Sequence, residues 1–324
     1  MSKFTITTEH QGQRLDKFLT EKLSNLSRSQ IQKTIKSGQV LVNDQKPSPH
    51  HFLKTGDIII INQQVSALAS QQVDDLSMAK LHTNSPARQL ASSPITIIAD
   101  TPDYLILNKP PGLVVHQAPG HDEPTLVDLI LEKYPAIEKI GEDPMRPGIV
   151  HRLDKEVSGL MVIAKTQDIF DHLKSQFKTR KVKKEYLALV HGTPAKPQGE
   201  IDFNIDRSVK GHKMAAVPES PQNRGKKALT EFEVLEKIGN YTLLKVKPYT
   251  GRSHQIRVHL NAYGLPVVGD PIYKPKKLKT KITLDRIFLQ ANYLGFYDLK
   301  DDWQEFNLPL DNKLQTVLDK LKGV

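Results

Sequence analysis

"GIVHRLDKEVSGLMVIAKT", residues 148–166, sets a knot of charge directly before a smooth apolar run. His151, Arg152, Asp154 and Lys155 crowd into this knot, and Asp154 lies between an arginine and a lysine. Three readings compete for that carboxylate: a metal ligand beside His151, a nucleophile or acid/base group, or an ordinary charged turn. The metal reading is the weakest. The chain has no cysteine and no HExxH pattern, and Arg152 and Lys155 would repel a cation from the same turn. A carboxylate between two cations should instead stay ionised, ready to act as a nucleophile or base.

Outward from this knot, Thr166 can cap a helix whose apolar stripe is Ile169, Phe170, Leu173 and Phe177. On the other side, Thr125 can cap a helix over TLVDLILEKY, and ITIIADTPDYLILNKPPGLVVH alternates strand-like runs with proline and glycine turns. EYLALVHG and YTLLKVKP read as strands. Ser253 can cap a helix over HQIRVHLNAYG that Gly264 ends, which would put Gly251 and Arg252 in a tight turn. Helices and strands intermix without regular βαβ alternation. The expected fold class is therefore α+β, with a mixed, mainly antiparallel sheet flanked by helices.

A chain of 324 residues is long enough for two domains, and its lack of cysteine fits a reducing compartment. No segment approaches the roughly 18 to 20 apolar residues of a membrane span, and the first residues lack the apolar core of a signal peptide. The expectation is a cytoplasmic protein without a membrane partner. Forty-six basic against 36 acidic side chains give a net charge of +10 and a pI near 9.4, which favours a polyanionic partner. Residues 1–62 carry +4 of that charge and so have the highest charge density.

That first segment has its own pattern. Leu15, Phe18, Leu19, Leu23 and Leu26 fall at helical spacing; Ser27 can cap a second helix carrying Ile31 and Ile35, which stops at Lys36-Ser37-Gly38. VLVN, a turn at Asn43-Asp44, and GDIIII follow as short strands. Arg28, Lys33 and Lys36 would lie on the exposed side of the second helix, as RNA contacts or as an ordinary solvated face. Residues 63–93 are rich in Ser, Gln and Ala and read as a linker. The domain boundaries expected are thus 1–62, a linker over 63–93, and a second domain over 94–324.

"RLDKFL", "LSRSQIQKTIKSGQVLVN" and "LKTGDIIII", in that order, resemble the S-four-type RNA-binding domain, a helical hairpin with strands that grips folded RNA. "HRLDKEVSGLMVIAKT", together with "LNKPPGLVVH", "KKEYLALVHG" and "TGRSHQIRVHLNAYGLPVVGDPIY", resembles the RluA-type pseudouridine synthases over residues 95 to 298. The combination resembles the branch that modifies large-subunit ribosomal RNA. The resemblance implies that Asp154 is the catalytic aspartate and that Arg152 fills the space left by a flipped nucleotide. It implies further that Tyr186 packs against the target base and that Arg252 pairs with the aspartate. The family usually has a histidine where Gln290 stands in "FLQANYLGF", which leaves Leu289 open as an apolar floor.

The chemistry implied is an isomerisation. A stacked uridine must leave its helix before its glycosidic bond is accessible, and an inserted side chain offsets part of the unstacking cost. No cofactor and no metal are expected, and the protein is expected to act on RNA as a monomer. Two alternatives stand beside large-subunit ribosomal RNA: the same chemistry on transfer RNA, and a catalytically silent RNA-binding assembly factor. Histidines 116, 151 and 254 are read as orienting groups, and Asn108-Lys109-Pro110-Pro111 as a scaffold turn.

Overall fold

All seven residues of SGLMVIA, Ser158–Ala164, are buried, so this strand has to lie inside a sheet covered on both faces. The computed structural model describes residues 2–23, 31, 34–35, 37–48, 51–62, 95–117, 123–208, 213–217, 225–274, 282 and 284–323. The chain divides into two compact units, residues 1–83 and 84–324.

In the first unit, β1 (Ser2–Thr5), β2 (Val40–Val42) and β3 (Ile58–Ile61) form an antiparallel sheet in the order β1-β3-β2. Helix α1 (Leu15–Lys22) buries Leu15, Phe18 and Leu19, and Leu23 just beyond it, at the spacing read from the sequence. Ile31, Ile35, Leu53 and Ile59 complete this core. Asn43 and Asp44 adopt φ of 51° and 59°, which suits the tight turn before β3, and few residues other than Asn, Asp and Gly accept such angles. Leu26, Ser27, Arg28, Lys33, Lys36 and the linker reading over 63–93 lie outside the described residues.

The second unit is built on a nine-stranded sheet. Its elements run β4 (Thr96–Asp100), β5 (Tyr104–Lys109), α2 (Leu126–Lys133), β6 (Ser158–Ala164), α3 (Gln167–Lys178), β7 (Lys183–His191) and β8 (Gln198–Ile201). After the small pair β9 (Asn204–Arg207) and β10 (Met214–Val217) come β11 (Thr230–Ile238), β12 (Tyr241–Pro248), α4 (Gln255–Ala262), β13 (Leu289–Tyr297), β14 (Trp303–Asn307) and α5 (Asn312–Lys322). The order is β4-β5-β6-β13-β7-β12-β11-β8, with β14 also paired to β13. Every pairing in it is antiparallel except β6 with β13. The fold is thus the expected α+β arrangement.

Alternation along β5 and β6 sorts two cores. Leu105, Leu107, Met161 and Ile163 pack with Leu126 and Ile130 of α2 and with Ile256 and Leu260 of α4. Ile106, Leu160 and Val162 face the other way, onto Ile169, Phe170 and Leu173 of α3. Each such side chain, fully buried, contributes on the order of 1.5–3 kcal/mol. Thr125 and Asp128 form a reciprocal capping box at the start of α2, and Thr166 accepts a hydrogen bond from the Ile169 N–H at the start of α3.

One glycine is dictated by the pairing of β6 with β13. Gly159 has φ +123°, and a Cβ there would come within 2.2 Å of the Ala291 carbonyl oxygen. Only glycine lets these two backbones meet at this point.

Candidate active site

Asp154 lies in the loop that delivers the chain into β6, and three buried contacts fix that loop. Lys109, at the end of β5, is wholly buried and donates to the carbonyls of Pro110 (2.8 Å), Leu113 (2.9 Å) and Lys155 (3.2 Å). Three carbonyl acceptors require three N–H donors, so this geometry is that of the ammonium. Burial pulls its pKa down to about 7, against the opposing pull of the Asp154 and Glu156 charges. The scaffold reading of residues 108–111 thus has a specific agent, a lysine that staples the 110–113 turn to the Asp154 loop. His151 accepts from the Val162 N–H through Nε2 at 3.0 Å and stacks on Phe177 at 4.9 Å. Burial, then the Lys184 charge, lowers its pKa to about 3, so it is a neutral acceptor that orients the loop. The Val157 N–H closes the turn on the Asp154 carbonyl at 3.2 Å.

The cation that pairs with Asp154 is Arg257. Its Nη1 lies 3.3 Å from Asp154 Oδ2 and 3.3 Å from Glu156 Oε2. The rest of the guanidinium grips Asp270 at both ends, Nε to Oδ2 at 2.8 Å and Nη2 to Oδ1 at 3.0 Å. Asp270 also accepts the Ile272 and Tyr273 N–H groups at 2.8 and 2.9 Å. Burial works against the charge on both partners of this pair. The Arg257 bonds and charge nevertheless hold the Asp270 pKa below the usual carboxylate range, and Asp270, Asp154 and Glu156 raise that of Arg257. Tyr273 lies 5.3 Å from the guanidinium carbon, and its hydroxyl, 2.9 Å from His254 Nδ1, accepts the Met214 N–H at 3.0 Å.

The expected pairing of Arg252 with Asp154 is therefore corrected. Arg252 is exposed, and its Nε donates to the Lys227 carbonyl at 3.1 Å. The reason lies in where α4 begins. Ser253 is not its cap: His254, left-handed at φ 56°, is the cap residue, and it makes no side-chain cap bond. The Gln255 carboxamide oxygen accepts instead from the Arg252 N–H at 3.1 Å and from the Thr250 hydroxyl at 2.6 Å. Arg252 stays in the turn outside the helix, whereas Arg257 falls in the first helical turn, all of whose residues are buried. The sequence shows a second arginine in the same block and an aspartate at 270, but it does not rank the two arginines, because that depends on where α4 starts.

The other residues singled out converge. Arg152, Asp154, Tyr186, Arg252, Arg257 and Leu289 all line one small cleft of about 80 Å³. Tyr186, on β7, is 7% exposed, and burial followed by the Asp154 charge pushes its phenol pKa well up, so it keeps its proton. Leu289 supplies an apolar wall. Gln290 faces away from the cleft, donating to the Pro309 carbonyl at 2.8 Å and accepting the Asp311 N–H at 2.9 Å.

Arg152 stands exposed at the boundary with a larger groove of about 1610 Å³, whose lining includes Arg180, Lys181, Lys183 and Lys184. Its Nη1 lies 3.4 Å from His116 Nε2. Burial, then the Arg152 charge, lowers the His116 pKa to about 4, so the ring is a neutral acceptor that steadies the arginine. A carboxylate paired with a buried arginine, a protonated phenol and an apolar wall at the end of a basic groove suit a flat base taken from a polyanion.

The known proteins that resemble the chain fit this geometry. The family pattern described as RNA pseudouridylate synthase matches residues 103–262, and the S4 domain pattern matches residues 13–59. An "Uncharacterized RNA pseudouridine synthase" of Chloroflexus aurantiacus is 39% identical over 313 residues, 96% of this chain and 90% of that protein. The "Ribosomal large subunit pseudouridine synthase C" of Vibrio parahaemolyticus is 32% identical over 320 residues, 96% of this chain and 93% of that protein. Among solved structures, "Human RNA Pseudouridylate Synthase Domain Containing 4" superposes with a TM-score of 0.55 at 25% identity, covering 73% of this chain and 95% of that one. Among the described residues, no helix is long and apolar enough to cross a membrane.

Proposed function

The chain belongs to the RNA pseudouridine synthases and shares their activity on RNA, and from that premise we propose that it converts specific uridines of large-subunit ribosomal RNA to pseudouridine in the cytoplasm, with Asp154 as the catalytic group. The observation that carries the assignment is the single cleft in which Asp154, held at 3.3 Å by the buried Arg257, shares its walls with Tyr186 and Leu289.

In this reading the target uridine leaves its stack and Arg152 enters the space it vacates, which offsets an unstacking cost of a few kcal/mol. Asp154 starts the reaction at the sugar, by attack on C1′ or by removal of a sugar proton. The C1′–N1 bond breaks, the uracil turns against Tyr186, and C1′ joins C5 as the Asp154–C1′ bond breaks or, on the other route, as the sugar proton returns from Asp154. The C5 proton then leaves and N1 gains one, so no atom is added or lost. Tyr186 offers its flat face and a retained proton, and Leu289 closes the apolar side. Arg257 aims Asp154 through its 3.3 Å contact, while Arg252 binds a phosphate at the mouth of the cleft.

The choice of ribosomal RNA rests on the relative of Vibrio parahaemolyticus, similar over nearly its whole length, and on the basic segment matched by the S4 domain. The test is a map of pseudouridines in total RNA from cells lacking the protein. Loss of positions in the large-subunit RNA, restored by the wild-type chain and not by Asp154→Asn, is the expected result. Loss confined to transfer RNA would overturn the substrate assignment.

A further inference from the structure

The groove beyond Arg152 has a far wall that the chemistry of one flipped uridine does not use. It is made by the turn after α3, the start of β7 and the β13–β14 hairpin, which supply Arg180, Lys181, Lys183, Tyr293, Tyr297 and Trp303. Three observations set this wall apart from an ordinary solvated surface.

The first is charge without counter-charge. Arg180, Lys181 and Lys183 are exposed, and among the described residues none of them has a carboxylate partner. Of the two acids in the lining, Glu185 is paired with Lys247 at 3.5 Å. The second is an arranged set of aromatic rings. Trp303 and Tyr297 meet at 4.9 Å, and Tyr297 is 39% exposed. Glu305 accepts from both the Trp303 indole N–H (3.2 Å) and the Tyr293 hydroxyl (2.9 Å), and Lys183 Nζ lies 5.3 Å from the indole centre. A Cβ at Gly295 would come within 2.4 Å of the indole, so the strand has been left bare where the ring crosses it. The third is backbone strain. Arg180 sits at φ 61°, a conformation that costs a side-chain-bearing residue on the order of 1–2 kcal/mol and that glycine would adopt freely.

We infer that this wall is a second RNA-binding subsite, which takes unpaired nucleotides flanking the target uridine, their bases on Tyr297 and Trp303 and their phosphates on Arg180, Lys181 and Lys183. The exposed Tyr297 and the half-buried Trp303 beside it need exposed base faces, which a duplex hides and a single strand offers. The subsite rests on the RNA activity proposed above and adds to it a requirement on the substrate: strand separation must extend past the modified base.

Trp303 is the sole tryptophan of the chain, so its fluorescence reports on this wall alone. The experiment titrates full-length Asp154→Asn protein with a short single-stranded RNA that contains no uridine, and separately with a blunt RNA duplex. Saturable quenching by the single strand, with at least about tenfold weaker quenching by the duplex, is expected from base stacking. Arg180→Glu combined with Lys181→Glu should weaken the single-strand titration by about tenfold or more and flatten its salt dependence, with no change in melting temperature. Tyr297→Ala should weaken it while leaving the salt dependence unchanged. Absence of quenching, equal quenching by the duplex, or affinities of both variants within about twofold of the parent would overturn the subsite. Pseudouridine formation by the wild-type protein, assayed in parallel, separates the two ideas: product with no quenching removes the subsite and leaves the activity.

Discussion

Arg257 gives its two shortest hydrogen bonds, 2.8 and 3.0 Å, to Asp270 and offers Asp154 a single longer one of 3.3 Å. The buried pair of Arg257 and Asp270 is thus a fixed post against which Asp154 leans. Asp154 is held by one guanidinium nitrogen that it shares with Glu156, and its other oxygen has no hydrogen-bond partner among the described residues.

Replacement of Asp154 by Asn keeps the shape and removes the charge. Product formation should fall below detection while the fold and the RNA affinity stay close to wild type. Tritium release from RNA carrying C5-labelled uridine measures the first, and equilibrium binding the second. Activity within about tenfold of wild type would sink the assignment.

The two arginines of the "TGRSHQIR" block should separate cleanly. Arg257→Met should remove nearly all turnover and also destabilise the protein by about 3–5 kcal/mol, because it leaves Asp270 buried without its partner. Arg252→Met should weaken RNA binding and its salt dependence while leaving saturated turnover within a few fold. The pairing is checked in the Asp154→Ala background: there Arg257→Lys should cost less RNA affinity or stability than it does in the wild type, since no carboxylate is left at 154 to hold. Full additivity would show that Arg257 acts on something other than Asp154.

Removal of residues 1–62 should reduce RNA affinity and the slope of its salt dependence without abolishing turnover at saturating RNA. That segment carries +4 of the net charge and none of the residues that line the cleft. An unchanged slope would mean that the phosphates are gripped elsewhere.

His151 gives a pH dependence of known sign. Its pKa is about 3 in the folded protein against 6.5 for the free side chain, so between those values the unfolded chain binds a proton that the folded one does not. The stability it contributes is complete above pH 6.5 and is lost as the pH falls toward 3. Chemical denaturation from pH 7 to 4 should therefore show a steeper decline for wild type than for His151→Gln, which keeps an acceptor for the Val162 N–H. Parallel declines would refute the buried neutral state.

Much of this architecture is legible because its signals are local. Thr125, Thr166 and Gly264 mark helix ends by capping chemistry that acts over a few residues, and Leu15, Phe18 and Leu19 repeat at the helical period. Arg152 and Asp154 of one block, Tyr186 of a second and Arg252 of a third reach the same cleft. The choice between Arg252 and Arg257 was not legible, because it depends on where α4 starts. That start is set by the Gln255 side chain and the left-handed His254 rather than by the serine that the pattern favours. The parallel pairing of β6 with β13 joins segments more than a hundred residues apart, and no periodicity in either strand announces it.

Gly159 carries the last consequence. Because the backbones of β6 and β13 touch where any other residue would collide, the gap between the Asp154 loop and Leu289 is gauged by main chain against main chain. In the reaction proposed above, the width of the cleft would then be insulated from drift in the side chains around it, which could alter which RNA is accepted without altering the spacing of these two walls. A methyl group at position 159 would act as a shim. Gly159→Ala should widen the cleft, slow the rejoining of C1′ to C5, and let a detached base diffuse away, so that free uracil appears in the reaction where the wild type releases none.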